Sequence, residues 1–329
     1  MAQNRFRHRI RRATALVCGL VFAALAAPTA EAQQPTKLRI ANFQTAINIA
    51  LFHAIDKGYF KEAGIDLELV NVASGSASVT AVVSNQVDLG WSAVTIPIFA
   101  RSNGIAVKVF MTTSQEGPPD NFGTFLDVSA KSGINSFADL KGKTIMINAF
   151  GTAGEVAIRE RLMDAGISWD DVKKVVVPFP QMPAALELGN ADLVVTVEPM
   201  HTAIMNNKAI GAKLLGKGTV TLSNKQAVTG SVYFASDAWL AKNQATAVAF
   251  GRAYLRAQKD IDKDDSLRVA LVMKIAGMDK ATAEKIPPTW FQDLAVKKEA
   301  LAPNYDTLVK IGMMPKPFNV DDVIATLPF

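Results

Sequence analysis

Two stretches of this chain, about a hundred residues apart, run through the same order of signals. The first opens on the apolar run Leu38-Arg39-Ile40-Ala41 and continues into Asn42-Phe43-Gln44-Thr45-Ala46. Ile49, Leu51, Phe52 and Ile55 then take helical spacing, which stops near Gly58, and Ala63-Gly64-Ile65 leads into a strand over 67–72. The second opens on Thr144-Ile145-Met146-Ile147 and continues into Asn148-Ala149-Phe150-Gly151-Thr152-Ala153. Val156, Ile158 and Leu162 mark its helix, Ala165-Gly166-Ile167 its end, and a strand is expected over 174–177. Further on, Val83-Ser84-Asn85-Gln86-Val87-Asp88-Leu89 matches Leu188-Gly189-Asn190-Ala191-Asp192-Leu193. The offset is 102 residues at Ala63/Ala165 and 104 at Asp88/Asp192. A solenoid period would be far shorter, about 20–50 residues. The pattern predicts an α/β protein of two similar lobes, each of β-α-β-α-β type.

That architecture has a consequence for binding. Open, mostly parallel sheets take ligands beyond the carboxyl ends of their strands, where the strand order switches. The loops concerned are 42–46 and 92–95 in one lobe, and 148–152 and 196–200 in the other. Two lobes facing each other through these loops would form a cleft that closes on a ligand about a hinge.

The first 32 residues follow a different logic. Arg5, Arg7, Arg9, Arg11 and Arg12 precede the apolar stretch 13–27, and Ala30-Glu31-Ala32 offers a cleavage site. This is the pattern of a secretory signal peptide, with cleavage expected after Ala32 and export through the general secretory route. The formal charge of +5 resides largely there. Without those residues 30 basic face 29 acidic side chains, so the charge gives no footprint for nucleic acid. The single cysteine, Cys18, also lies in the leader, which excludes disulfides and thiol chemistry from residues 33–329. No later segment is apolar for long enough to span a membrane.

Five stretches carry a family resemblance. They are 56–65 (Asp-Lys-Gly-Tyr-Phe-Lys-Glu-Ala-Gly-Ile), Ala73-Ser74-Gly75-Ser76-Ala77, Asn85-Gln86-Val87-Asp88-Leu89-Gly90, 136–143 (Ser-Phe-Ala-Asp-Leu-Lys-Gly-Lys) and 185–199. In their order and spacing the chain resembles the nitrate/sulfonate/taurine (NitT/TauT) class of periplasmic substrate-binding proteins that serve ABC importers. The resemblance spans roughly residues 37–240. It implies a two-lobed periplasmic-binding-protein fold (type II-like), each lobe a sheet flanked by helices. It also implies a small-molecule ligand in the cleft, a membrane permease as partner, and no cofactor or metal. A monomer that meets the membrane only through the permease is expected. The first crossing between lobes is placed near 117–125, where Gly117-Pro118-Pro119 breaks the pattern, and the return near 228–235. Lobe I is then 33–122 with 232–329, and lobe II is 123–231.

Candidate ligand contacts follow from the loops. Ser74, Gly75 and Ser76 precede an apolar helix whose free N–H groups and dipole would favour an anion; the alternative is an N-cap and a turn, and ligand contact is the reading taken. Thr152 begins what reads as the matching helix of the second lobe; Thr152 with Glu155 also fits a capping box, and Gly151 would let backbone approach a ligand. Asn42, Gln44 and Thr45 can offer directed hydrogen bonds. Phe43 and Phe150 hold similar places in the two lobes and could face a flat ligand from both sides. Trp91 is expected behind the site, with Ser92 and Thr95 beside it and Phe179, Gln181 and Met182 on the rim. Glu198, where a second-lobe strand ends, would suit an amine or amidine; its alternative is a carboxylate at a helix start. Asp88 and Asp192 read as turn residues. The sulfonate and taurine members carry more hydroxyls in these loops, so a larger, less polar anion such as an aromatic carboxylate fits as well.

Catalytic signatures are scarce. His53 and His201 are the histidines of residues 33–329, and there is no H-E-x-x-H or G-x-S-x-G. Residues 211–218 approach a phosphate-binding loop but end in Gly218 rather than Ser or Thr, and read as a connector. A related eukaryotic branch makes the thiamine pyrimidine and carries a Cys-rich motif that this chain lacks. The reading is a solute receptor for a small organic anion. A binder of a thiamine-type pyrimidine, held by Phe43, Phe150 and Glu198, and a periplasmic enzyme on the same fold are the alternatives.

Overall fold

The computed structural model describes residues 34–329 except 44, 46, 47, 119, 120, 223–225, 290 and 292. The export signal expected over 1–32 lies outside the described residues. The chain divides into Met1–Pro35 and Thr36–Phe329. Gln34 and Pro35, which represent the first, are exposed.

The second unit begins with β1 (Thr36–Asn42), α1 (Ile49–Asp56), the short α2 (Tyr59–Glu62) and β2 (Ile65–Asn71). Then come α3 (Gly75–Val83), β3 (Gly90–Ala93), α4 (Thr95–Ser102), β4 (Val107–Thr112) and the two-residue β5 (Gln115–Glu116). The other half holds β6 (Phe125–Val128), β7 (Thr144–Ile147), α5 (Ala153–Asp164), β8 (Lys173–Val176), α6 (Met182–Glu187), β9 (Leu193–Thr196), α7 (Met200–Asn206) and β10 (Lys213–Lys217). β11 (Val228–Thr229) and β12 (Ser231–Ser236) lead into the tail helices α8 (Asp237–Lys263), α9 (Asp265–Ala276), α10 (Lys280–Ala283) and α11 (Lys298–Lys310).

The duplication extends to topology. In the first lobe β2 pairs with β1 in parallel, Ile40 of β1 bridges to Leu89 just before β3, and β12 lies antiparallel between β3 and β4. The order is therefore β2-β1-β3-β12-β4. In the second lobe it is β8-β7-β9-β6-β10, with β6 antiparallel between β9 and β10. The two sheets match strand for strand. In each, the antiparallel fourth strand comes just after a crossing segment, and the crossings themselves pair as a ribbon, β5 with β11. An aspartate fixes both registers. Asp88 accepts the backbone N–H of Arg39 at 2.8 Å, and Asp192 that of Thr144 at 2.8 Å.

Strand residues alternate between two covered faces, which is why the strands read as unbroken apolar runs. Ile145, Ile147, Leu193 and Val195 pack with Ile158 and Leu162 of α5. Met146 and Val194 turn the other way, towards Met182, Leu186 and Ile204 of α6 and α7. In the first lobe Leu38, Ile40 and Leu51 meet Phe250 and Tyr254 of α8. On its opposite face Val79, Val82, Val109 and Phe234 meet Leu301 and Leu308 of α11. Each such side chain contributes about 1.5–3 kcal/mol on burial. No helix among the described residues is long and apolar enough to cross a membrane.

Candidate functional site

Both sheets direct the carboxyl ends of their parallel strands at one cavity between the lobes. It holds about 640 Å³ of space free of atoms, part of it open to solvent. Phe43 follows β1, Ala93 ends β3, Asn148 follows β7 and Val197 follows β9; all four line it. The backbone starts of two helices also reach it, at Gly75 of α3 and at Thr152, Ala153 and Gly154 of α5. The first N–H groups of a helix have no partner within it and carry its positive end, so both starts can receive an acceptor or an anion.

Gly75 is needed for this approach. A Cβ there would lie 2.5 Å from Ile96 Cδ1 and 2.9 Å from Ser92 Cβ. Ser74 has extended backbone and accepts from Ala77 N at 3.2 Å, so its side chain serves as the N-cap. Ser76 turns outwards and donates to Phe150 O at 3.1 Å, which joins the lobes across the mouth of the cleft.

Apolar surface dominates the wall. Phe43 and Trp91 stand with ring centroids 4.9 Å apart, and Phe179 contributes from the second lobe. Trp91, expected behind the site, is part of its wall; its indole N–H donates to Thr113 Oγ1 at 3.0 Å. Several hydroxyls are committed elsewhere. Thr196 donates to Asp127 at 2.7 Å, Thr152 to Ala149 O at 2.7 Å, and Thr124 bonds Thr219 at 3.0 Å. The single Thr152 hydroxyl proton goes to Ala149 O, so the 3.2 Å approach of its Oγ1 to the Asn148 side chain is a contact rather than a second donated bond.

Among the described residues of the wall, Glu116 of β5 is the sole ionisable side chain. Its carboxylate accepts from Thr219 N at 2.7 Å and from Gly123 N at 2.9 Å. Burial pushes its pKa up, and those N–H groups oppose the rise. Sequence reasoning missed Glu116, with Ser114, Gly123, Thr124, Thr219, Gly230 and Ser231. All lie in or beside the crossings, where no motif marks them. The available signal was an acid in the neutral run Thr113-Ser114-Gln115-Glu116, just before Gly117-Pro118.

Of the residues singled out from sequence, Phe43, Thr45, Gly75 and Thr152 come together at the cavity. Others do not line it. Asn42 bonds Asn71 at 3.3 Å and faces a neighbouring hollow with Phe179 and Lys274. Ser92 is fully buried and donates to Ala93 O; Thr95 is buried, with no partner for its hydroxyl. Gln44 lies outside the described residues. Phe150 is 53% exposed and, with Gly151 and Ser76, borders an outer groove. The strand registers give the reason. Arg39 corresponds to Thr144, so Phe43 corresponds to Asn148, and Phe150 to Thr45. The same registers make α5 the counterpart of α1, and α6 that of α3, so Thr152 does not begin the match to the Gly75 helix. Nor does Thr152 complete a capping box: its side chain caps no N–H, and Glu155 accepts from Gly151 N at 2.7 Å instead. Glu198 caps α7, accepting from Thr202 N at 3.2 Å and Thr202 Oγ1 at 2.9 Å. It borders a smaller adjoining pocket rather than the main cavity. Burial pushes its pKa up as well.

The histidines stand away from the wall. His53 pairs with Asp260 at 3.3 Å. His201 pairs with Asp127 at 2.8 Å and stacks on Phe125 with centroids 3.9 Å apart. Residues 213–217 of the apparent phosphate loop form the edge strand β10.

Comparison with known proteins agrees with this geometry. The candidate binding protein YtlA of Bacillus subtilis (strain 168) is 26% identical over 246 residues, 73% of this chain and 70% of its own. The 4-amino-5-hydroxymethyl-2-methylpyrimidine phosphate synthase of Schizosaccharomyces pombe (strain 972 / ATCC 24843) is 25% identical over 227 residues, 67% of this chain and 63% of its own. The alkanesulfonate-binding protein SsuA from Xanthomonas axonopodis pv. citri, solved bound to MOPS, superposes with a TM-score of 0.74 at 19% identity. That superposition covers 90% of this chain and 100% of SsuA, and it shows the two-lobed periplasmic-binding-protein fold. The relatives thus include binding proteins and an enzyme. A family model described as NMT1/THI5 like matches residues 46–264, about two thirds of the chain, and the chain belongs to that family.

Proposed function

We propose that this protein is an exported solute receptor which closes two lobes on one small organic molecule bearing an anionic group and presents it to the permease of an ABC importer. The observation that carries this reading is the cavity between the lobes, walled by strand ends of both sheets and reached by the starts of α3 and α5. Those starts supply donors and positive potential without a basic side chain. Residues 1–32 act as the export signal, cleaved after Ala32, and the receptor works in the periplasm as a monomer without cofactor. Lobe I comprises 33–122 and 232–329, and lobe II comprises 123–231. Phe43, Thr45, Gly75 and Thr152 contact the ligand, with Trp91, Ser114, Glu116, Asn148, Phe179 and Thr219.

A thermal-shift screen tests this. Ligand at a hundred times its dissociation constant adds about 2.7 kcal/mol of stability. A selective shift by aromatic carboxylates or alkylsulfonates supports the receptor. No shift, with nothing bound in native mass spectrometry, counts against it. The similarity to the fission yeast synthase favours a second reading, an enzyme on the same fold. Turnover of a bound compound by the purified protein would establish that reading and remove the first.

A further inference from the structure

We propose that Lys310 is a positioning residue for the ligand site, which latches the far end of α5 to the tail helix α11 and so holds the start of α5 against the cavity. This rests on the reading of that cavity as the ligand site. α5 covers the second sheet with Ile158 and Leu162, and its first residues, Ala153 and Gly154, line the cavity. α11 is fastened to the other lobe. Leu301 and Leu308 pack it there, and Asn304 Nδ2 donates to Thr229 O of the crossing strand β11 at 3.0 Å. Six residues on, about 9 Å along the helix, Lys310 Nζ donates to Asp164 of α5 at 2.7 Å and to Glu160 at 3.5 Å.

Glu160 makes this contact a joint. It is 3% exposed, and its other oxygen accepts at 2.7 Å from the N–H of Thr221, in the chain returning to the first lobe. Thr307 adds a 3.5 Å bond from α11. Lobe II helix, crossing and tail helix therefore meet at one carboxylate. The start of α5 has a tie of its own, from Ser76 to Phe150 O. Ser76, Phe150 and Glu155 line the same outer groove as Met313, just past Lys310, so the two ties flank one opening between the lobes. A rotation about the crossings that widens this groove separates both. The side chains of Lys310 and Asp164 are 40% and 46% exposed, so their attraction is weak and salt reduces it. The latch biases the position of α5 without locking it, as a site that must release its ligand requires.

The test reads lobe position directly. Residues 33–329 contain no cysteine, so Val83→Cys at the end of α3 and Leu188→Cys just past α6, both exposed, place one spin label in each lobe. Pulsed dipolar spectroscopy without ligand then gives the populations of near and separated lobes. Lys310→Met is expected to raise the ratio of separated to near about two- to fivefold. Asp164→Asn should do the same, and Lys310→Arg should keep the wild-type distribution. Salt at about 0.5 M should shift the wild type in the same direction and leave Lys310→Met unmoved. A role in seating α11 alone would lower unfolding stability without moving these populations. Distances unchanged in both Lys310→Met and Asp164→Asn, or in the wild type on adding salt, overturn the proposal. Should Lys310→Met fail to fold, Asp164→Asn and the salt series decide the matter. The readout needs no ligand, so a negative result leaves the receptor reading standing, and the thermal-shift screen judges that reading separately.

Discussion

The hydrogen bond from Trp91 to Thr113 offers a sharp test of how the cavity wall is held. Trp91 is 2% exposed and Thr113 is fully buried, so neither group of the 3.0 Å bond has water as an alternative partner. Thr113→Val keeps the shape and removes the acceptor. The indole N–H is then buried without a partner, which costs about 1–3 kcal/mol. Trp91→Phe removes the donor together with part of a large apolar surface. In the Trp91→Phe background the Thr113→Val change leaves no orphan indole, so it should cost at least about 1 kcal/mol less than it does alone. The assay is urea unfolding of the four proteins in the cycle, with slopes compared to confirm that unfolding exposes the same surface. Strict additivity, or a Thr113→Val protein as stable as the wild type, would refute the argument that this bond anchors the ring. Ligand affinity gives a second readout, because an indole freed from Thr113 no longer holds a fixed plane beside Phe43.

Three further outcomes are expected. Ala at Gly75 would force α3 away from Ser92 and Ile96, at about 1–3 kcal/mol of stability with loss of ligand binding; a melting curve and affinity matching the wild type would count against the close-approach argument. Ser76→Ala removes the hydroxyl that bridges the lobes to Phe150 O, so the dissociation constant of the tightest-binding carboxylate should rise about two- to tenfold with unfolding unchanged; an unchanged constant would mean the bond does not bear on closure. The folded pKa of Glu198 is raised above its ordinary 4.5, chiefly by burial. Its stabilising contribution is therefore full below 4.5 and lost as the pH rises through the folded value. Glu198→Gln should accordingly gain on the wild type in urea titrations as the pH climbs from 4.5 to 8, and a pH-independent difference would contradict this.

The architecture was readable because a duplicated α/β unit repeats its turn chemistry as well as its apolar pattern. Asp88 and Asp192 stand out in the sequence as the same residue before the same short strand. In the fold each ties down the backbone of the first parallel strand of its sheet. Such signals are legible because the same residue recurs at the same turn in both halves, and the strand N–H groups it satisfies must find a partner. The strands β6 and β12 are different. Each completes a sheet with the stretch of chain that has just arrived from the other lobe, a long-range pairing that no local pattern encodes.

The site shows where reading by analogy fails. Asn42-Phe43 and Asn148-Ala149-Phe150 look equivalent when aligned by residue type, and two facing aromatics follow naturally. Alignment by backbone pairing shifts the match by two positions: Phe43 then answers to Asn148, and Phe150 to Thr45. That shift changes the chemistry of the second lobe's wall from an aromatic face to an amide, and it leaves Phe150 outside. The same reasoning separates the two glutamates. Glu198 has the position that a ligand-binding acid would have, at a strand end, yet the adjacent start of α7 offers Thr202 as a closer partner. Glu116 stands at an unremarkable point of the sequence, but the pairing of β5 with β11 and the return of Thr219 beside Gly123 bring it to the cavity. Fold in this chain is written in residues that bond within their own lobe. Part of the cavity wall falls to residues in the crossings, whose partners lie about a hundred positions away, so two relatives can share every fold signal and still differ there.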